Sequence, residues 1–205
     1  MTKLNNIYWI GGSPCSGKSS IAEKLAREFS LLYYKCDDHM MSHINRGAQN
    51  DILIMKKYST ISKHENWLRD IDSQVNDVID FYQNSFDFIL EDLAQTPLDK
   101  VVLVEGSAIL PELIKKHSID PKKYICLVPT PEFQLTKYPE REWVKDYLVD
   151  CSNPSLAFSN WMKRDVMFAG RILKSAKELD LFVLNVDGSK TIDENFEITR
   201  KHFGW

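Results

Sequence analysis

The chain has 205 residues, of which 43% are hydrophobic and 27% charged, with a formal net charge of -3 at pH 7. That length suits one domain with a sizeable buried core, and that composition excludes a disordered chain. The weak negative charge argues against nucleic acid as the main partner, because binding a phosphate backbone draws on a basic face.

Residues 7–10 are an apolar run, read as a buried first strand, that empties into Gly12-Ser-Pro-Cys-Ser-Gly-Lys-Ser19. Gly12, Gly17, Lys18 and Ser19 match the P-loop spacing G-x-x-x-x-G-K-S/T. The chemistry requires those residue types. Glycine lets backbone N–H groups turn inward toward phosphate oxygens, and the following helix directs its positive end at the same anion. Lys18 would meet the terminal phosphates and Ser19 would hold magnesium, with Ser13, Pro14, Cys15, Ser16 and Ser20 completing the cradle. Pro14-Cys15 stiffens the loop, and the Cys15 thiol is expected to face the nucleotide and to be modified by thiol reagents unless ATP is bound.

The helix of residues 19–29 carries Ile21, Ala22, Leu25, Ala26 and Phe29 on one face. A second short strand, 31–35, delivers Asp37 and Asp38. Residues 40–69 lose the regular pattern and read as an insertion over the site, built of turns and short helical pieces. The helical period returns at 71–93. Residues 101–104 suit a central strand buried on both faces, ending at Glu105-Gly106-Ser107. A helix at 111–117, a strand at 124–128, a mixed charged and aromatic stretch at 135–153, a long helix from Pro154 to about Leu179, a strand at 181–186 and a closing helix at 191–203 complete the chain.

Strands alternating with helices give an α/β domain, an open parallel sheet with helices on both faces and ligands at the carboxyl ends of the strands. The strand ends therefore supply the candidate site. The first delivers the loop, the second Asp37 and Asp38, the third Glu105, and the last Asp187-Gly188-Ser189. One of the two aspartates is expected to orient or deprotonate an attacking hydroxyl, the other to sit at a helix N-cap. Glu105 would otherwise be an unpaired charge on a buried strand, and magnesium would satisfy it through a bound water. Arg141, Arg164 and Arg171 are the candidates to close over the phosphates; the last two lie seven apart on one helix face. Asp187, Gly188 and Ser189 would contact adenine. Trp67 is the leading aromatic for a wall of the acceptor pocket, and His39 and His43 are expected to be structural.

The loop and the order of elements resemble the small-molecule branch of the P-loop kinases, which holds nucleoside monophosphate, shikimate, gluconate and adenylylsulfate kinases and antibiotic phosphotransferases. Within it, Gly-Gly-Ser-Pro-Cys-Ser-Gly-Lys-Ser, Asp-Asp-His and Val-Glu-Gly-Ser-Ala-Ile-Leu-Pro resemble uncharacterised bacterial kinase-like proteins. The resemblance implies a three-layer P-loop NTPase fold with a five-stranded parallel sheet, ATP and magnesium as cofactors, an acceptor-binding insertion at about 40–70 and an arginine-bearing lid at about 135–165. Glu105-Gly106-Ser107-Ala108-Ile109 stands where nucleoside monophosphate kinases carry D-G-x-P-R, which argues against that acceptor. The absence of an N-K-x-D motif argues against a GTPase.

No apolar run is long enough to cross a bilayer, and the opening Met-Thr-Lys-Leu-Asn-Asn is too polar for a secretory signal, so the expected compartment is the cytosol. Cys15, Cys36, Cys126 and Cys151 form no C-x-x-C pair and read as reduced thiols. The reading is therefore ATP- and magnesium-dependent phosphoryl transfer to the hydroxyl of a small molecule, with the acceptor and the oligomeric state unspecified. An ATP-binding switch without transfer, and a toxin-like kinase of nucleotide sugars, are the competing classes.

Overall fold

The computed structural model describes residues 6–97 and 99–205; most of the polar opening segment, residues 1–5, lies outside them. Strands β1 (Ile7–Gly12), β2 (Leu32–Lys35), β3 (Val102–Glu105), β4 (Tyr124–Pro129) and β5 (Val183–Val186) form one sheet in the order β2-β3-β1-β4-β5. Every pairing is parallel, and β1 at the centre aligns Trp9 with Val104 on one side and Gly12 with Leu127 on the other.

Because successive side chains of a strand face opposite sides, Trp9 and Ile10 enter different layers. Trp9 packs with Phe86 of helix α5 (Ile71–Leu93) and Phe168 of helix α9 (Pro154–Glu178). Ile10 packs with Ile21 and Leu25 of α1 (Lys18–Glu28) and Phe196 of α10 (Ile192–Phe203). Apart from the half-buried Tyr8, the β-branched and aromatic residues of β1, β3 and β4 are buried on both faces, as a parallel sheet between two helical layers requires. This is the three-layer α/β arrangement expected from the sequence.

Residues 36–68 fold as three helices, α2 (Cys36–Gln49), α3 (Leu53–Thr60) and α4 (Lys63–Leu68), with Ser62 and Glu65 forming a capping box at the last. α5 starts where the Asp70 carboxylate accepts from the Ser73 amide at 2.8 Å, and α9 starts at Asn153 with Pro154 in its first turn. After β3 come α6 (Pro111–Lys116) and, beyond β4, α7 (Pro131–Lys137). A single 3-10 turn, Tyr138–Glu140, and a short helix, α8 (Trp143–Tyr147), then lead into α9.

Candidate active site

The loop after β1 is held against the sheet by the Ser13 amide, which donates to the Leu127 carbonyl at 3.0 Å. Gly12 makes this possible, since with φ +120° a Cβ there would stand 2.0 Å from the Leu127 oxygen. Farther along, Cys15 (φ 67°) and Gly17 (φ 79°) take left-handed backbone on either side of Ser16, an alternation that builds an anion-binding concavity at the start of α1. Lys18 folds back over the loop and its ammonium donates to the Ser13 carbonyl at 2.7 Å, while the Ser16 hydroxyl donates to the same oxygen at 2.9 Å.

Glu105 reaches this loop from the end of β3. It is buried, and Tyr33 of β2 donates to its Oε2 at 3.0 Å. Burial raises its pKa above the usual carboxylate range; attraction to Lys18 and contacts with Tyr33 and Ser19 pull the other way. Burial likewise lowers the Lys18 pKa, opposed by Glu105 and Asp37. Lys18, Ser19, Glu105 and Asp37 thus form one electrostatic group. Among the described residues no set of three or more His, Cys, Asp or Glu is arranged to hold a metal. A divalent cation here would take most of its ligands from phosphate and water, which is how magnesium binds; the Ser19 hydroxyl and the buried Glu105 fit that demand.

A cavity of about 570 Å³ opens from the loop beneath α2, α3 and α4 on one side and the segment 138–165 on the other. Asp37 and Asp38 both fall in the first turn of α2, and the N-cap position belongs to Lys35, so neither aspartate is the N-cap. Of the two, Asp37 lines the cavity and Asp38 does not. Arg141 lines it as well, with its guanidinium 4.7 Å from the Tyr138 ring centre. So does Arg164, which stands 4.9 Å over Trp67. Arg171 is not brought to the cavity: two turns along α9 it faces α5, donating to the Asn76 Oδ1 at 2.7 Å. Seven residues keep two side chains on one face, but the long helix carries the second beyond the site.

Asp187, Gly188 and Ser189 form an exposed turn after β5, closed by the Ser189 hydroxyl and amide on the Asp187 Oδ1 at 2.6 and 2.9 Å. They do not line the cavity; Gly188 lies against Phe133 of α7. His39 stacks on Tyr34 at 4.2 Å, and His43 is buried and bound to Asp92, so both histidines have structural partners. Cys15 lines the cavity, as expected, but is also packed into its aromatic wall. Its thiol is buried among Trp67, Tyr138 and Trp161, and burial raises its pKa against the pull of Arg141.

The aromatic wall is broader than Trp67. Trp67 stacks on Trp161 with ring centres 4.6 Å apart, and Tyr58, Phe81, Tyr82 and Tyr147 extend the lining. Asp165, not among the residues expected at the site, also lines the cavity with no solvent exposure; the Trp161 indole is beside it, but neither of its oxygens accepts a well-formed hydrogen bond. Arg164 Nε lies 2.8 Å from Oδ1, close enough to pair as ions without hydrogen-bond alignment. Its signal was in the sequence: Ala157, Trp161, Asp165, Ala169, Ile172 and Ala176 follow the period of the buried face of α9, and a carboxylate in that stripe needs a reason.

Solved structures with this architecture were found at low sequence identity. Shikimate kinase from Bacteroides thetaiotaomicron matches over 97% of this chain and 98% of its own, at 9% identity and a TM-score of 0.56. The two proteins share their fold. Shikimate kinase from Acinetobacter baumannii, solved with shikimate, matches over 97% and 92% of the two chains at 14% identity and a TM-score of 0.50. The Aquifex aeolicus enzyme matches over 97% and 96%, at 15% identity and a TM-score of 0.50. No family model matches the sequence, and no curated protein does.

Proposed function

We propose that the protein is an ATP- and magnesium-dependent kinase that phosphorylates a hydroxyl group of a small molecule. The observation that carries this reading is the meeting of Lys18, Ser19, Glu105 and Asp37 around one cavity that begins at an anion-binding loop. Kinase folds among solved structures support it.

In this reading residues 12–20 bind the nucleotide phosphates through backbone N–H groups and the N-terminus of α1. Lys18 leaves the Ser13 carbonyl for the terminal phosphates. Ser19 and Glu105 hold magnesium, which when bound neutralises charge on the phosphates. Asp37 orients the acceptor hydroxyl. The new bond joins that oxygen to the γ-phosphorus, the bond from the γ-phosphorus to the β–γ bridging oxygen breaks, ADP leaves, and the hydroxyl proton passes to Asp37 and then to water. Arg141 and Arg164 stabilise charge on the moving group, and the turn 187–189 contacts adenine.

Calorimetry with ATP and magnesium, followed by ATP consumption with a panel of alcohols, tests the assignment. Lys18→Met should weaken ATP binding tenfold or more. Asp37→Asn should leave ATP binding intact and slow transfer by about 10²–10⁴, the usual worth of a positioned acid or base, while Asp38→Asn stays near wild type. An inactive Asp38→Asn beside an active Asp37→Asn would reverse the assignment. Tight ATP binding with no acceptor-stimulated turnover would favour a nucleotide-binding switch.

A further inference from the structure

Shikimate and gluconate are anions, and their recognition calls for a cation free to meet a carboxylate. The acceptor side of this cavity is organised differently. Arg46 is committed to Asp92 and Glu91, and Lys57 and Arg69 share Asp77. Arg164 is neutralised by its neighbour Asp165 and lies on the Trp67 face. Lys63 lines the cavity with its ammonium already 4.4 Å over the Tyr147 ring. Lys18 and Arg141 stand at the loop, where the nucleotide phosphates go.

Beside these cations, of which only Lys63 on the acceptor side has no carboxylate partner of its own among the described residues, lies a carboxylate that its one ion pair satisfies incompletely. Asp165 is fully buried at the cavity; Arg164 Nε lies 2.8 Å from Oδ1 and the Trp161 indole is beside it, but neither oxygen accepts a well-aligned hydrogen bond, so the carboxylate keeps spare acceptor capacity. Burial raises the Asp165 pKa while Arg164 and Trp161 pull it down; in its ionised form the carboxylate is an acceptor only, so the group that completes it must bring N–H or O–H donors. A buried carboxylate left without them is costly, which gives a donor-bearing ligand a large advantage over one that presents its own negative charge. The walls of the cavity are rich in flat rings, Trp67, Trp161, Tyr82 and Tyr58 among them, which suit a planar apolar face.

We propose that the acceptor is a neutral or cationic alcohol with an aromatic ring and an N–H or ammonium donor that meets Asp165, and not a carboxylate or phosphate. This rests on the kinase reading and narrows it. It also sets aside nucleotide sugars, whose diphosphate would meet the same carboxylate.

The test is calorimetry on the full chain saturated with magnesium and a non-hydrolysable ATP analogue, using tyrosinol and cytidine as ring-bearing probes and shikimate and gluconate as anions. Tyrosinol or cytidine should bind at least tenfold more tightly than either anion. Asp165→Asn, which leaves Arg164 without its counter-ion, should lose tenfold or more of that binding and gain affinity for shikimate. A merely structural Asp165 would not exchange the preference. The ranking of probes needs no variant, so it remains decisive if Asp165→Asn fails to fold. Tighter binding of an anion, no binding of either ring-bearing probe, or unchanged selectivity in a folded Asp165→Asn protein would overturn the proposal. Failure to bind the ATP analogue itself would instead remove the kinase reading.

Discussion

Cys15 shows how one residue's surroundings decide its chemistry. A thiol in a phosphate-binding loop at the start of a helix would ordinarily be acidified and reactive. Here the loop turns through a left-handed conformation at this residue, and its side chain enters the cluster formed by Trp67, Tyr138 and Trp161. Desolvation outweighs the nearby Arg141, and the pKa rises. The expected result is slow alkylation of Cys15 by iodoacetamide at neutral pH, about tenfold or more below a free thiol, measured by mass spectrometry against Cys15→Ser. ATP should matter only through its effect on the covering segment. Rapid labelling of the apo protein would show that the thiol spends its time outside that cluster. The loop itself was legible in the sequence because fixed residue types at fixed spacing carry it. Asp165 left only a hint, a carboxylate in the buried stripe of α9; its role was not legible, because that depends on rings and charges from distant segments.

At the scale of elements, β3 and α2 meet at a contact that fixes Asp37. A Cβ on Gly106 would stand 2.5 Å from the Cβ of Cys36, the first residue of α2. Gly106→Ala should therefore displace the first turn of α2, reducing transfer more than ATP binding and costing about 1–3 kcal/mol in urea unfolding, as overpacking does. The other end of α2 is clamped to α5. Asp92 accepts from Tyr34 at 2.7 Å and from Arg46 at 2.6 Å, and since an ionised carboxylate only accepts, His43 Nε2 donates to it, also at 2.7 Å. Burial opposes ionisation of Asp92, but these bonds outweigh it and lower its pKa; burial lowers the pKa of His43 despite Asp92, with Arg46 and His39 adding to the effect. Both groups thus bind protons less readily folded than unfolded. The His43 contribution is present above its ordinary value of 6.5 and lost as pH falls through the lowered folded value. That of Asp92 is present above 3.8 and lost below it in the same way. Urea midpoints should fall in those two windows, and Asp92→Asn should flatten the lower one and cost about 1–3 kcal/mol at pH 7. A pH profile identical to wild type in Asp92→Asn would remove this network as the cause. None of this clamp was visible in sequence, where 40–69 shows no single period because three separate helices interrupt it.

In the whole molecule the sheet and its two helical layers form the fixed part, and the cavity lies between two covers mounted on it. Period and strand-end logic made that fixed part readable, since each strand and long helix buries a regular face. The joint between the covers depends on pairing across about 90 residues and left no local trace. Trp67 of α4 stacks on Trp161 of α9, Asn160 Nδ2 donates to the Trp67 carbonyl at 3.0 Å, and the Ser152 amide donates to His64 at 3.3 Å. Linked this way, the α3–α4 cover and the 138–165 segment should open as one cooperative unit, below the free energy of global unfolding. Trp67→Ala removes a side chain only 5% exposed, for a loss of about 3–5 kcal/mol if the gap does not collapse. Hydrogen exchange should then accelerate together in residues 53–68 and 138–162, while β1, β3 and β4 keep their protection. Acceleration confined to α4 would mean that the two covers move independently, and acceleration throughout the sheet would mean that the joint supports the whole fold. Coupled opening carries a functional consequence as well: a ligand seated in the cavity against the stacked pair of Trp67 and Trp161 should slow exchange in both covers at once, even though it touches each at only a few residues.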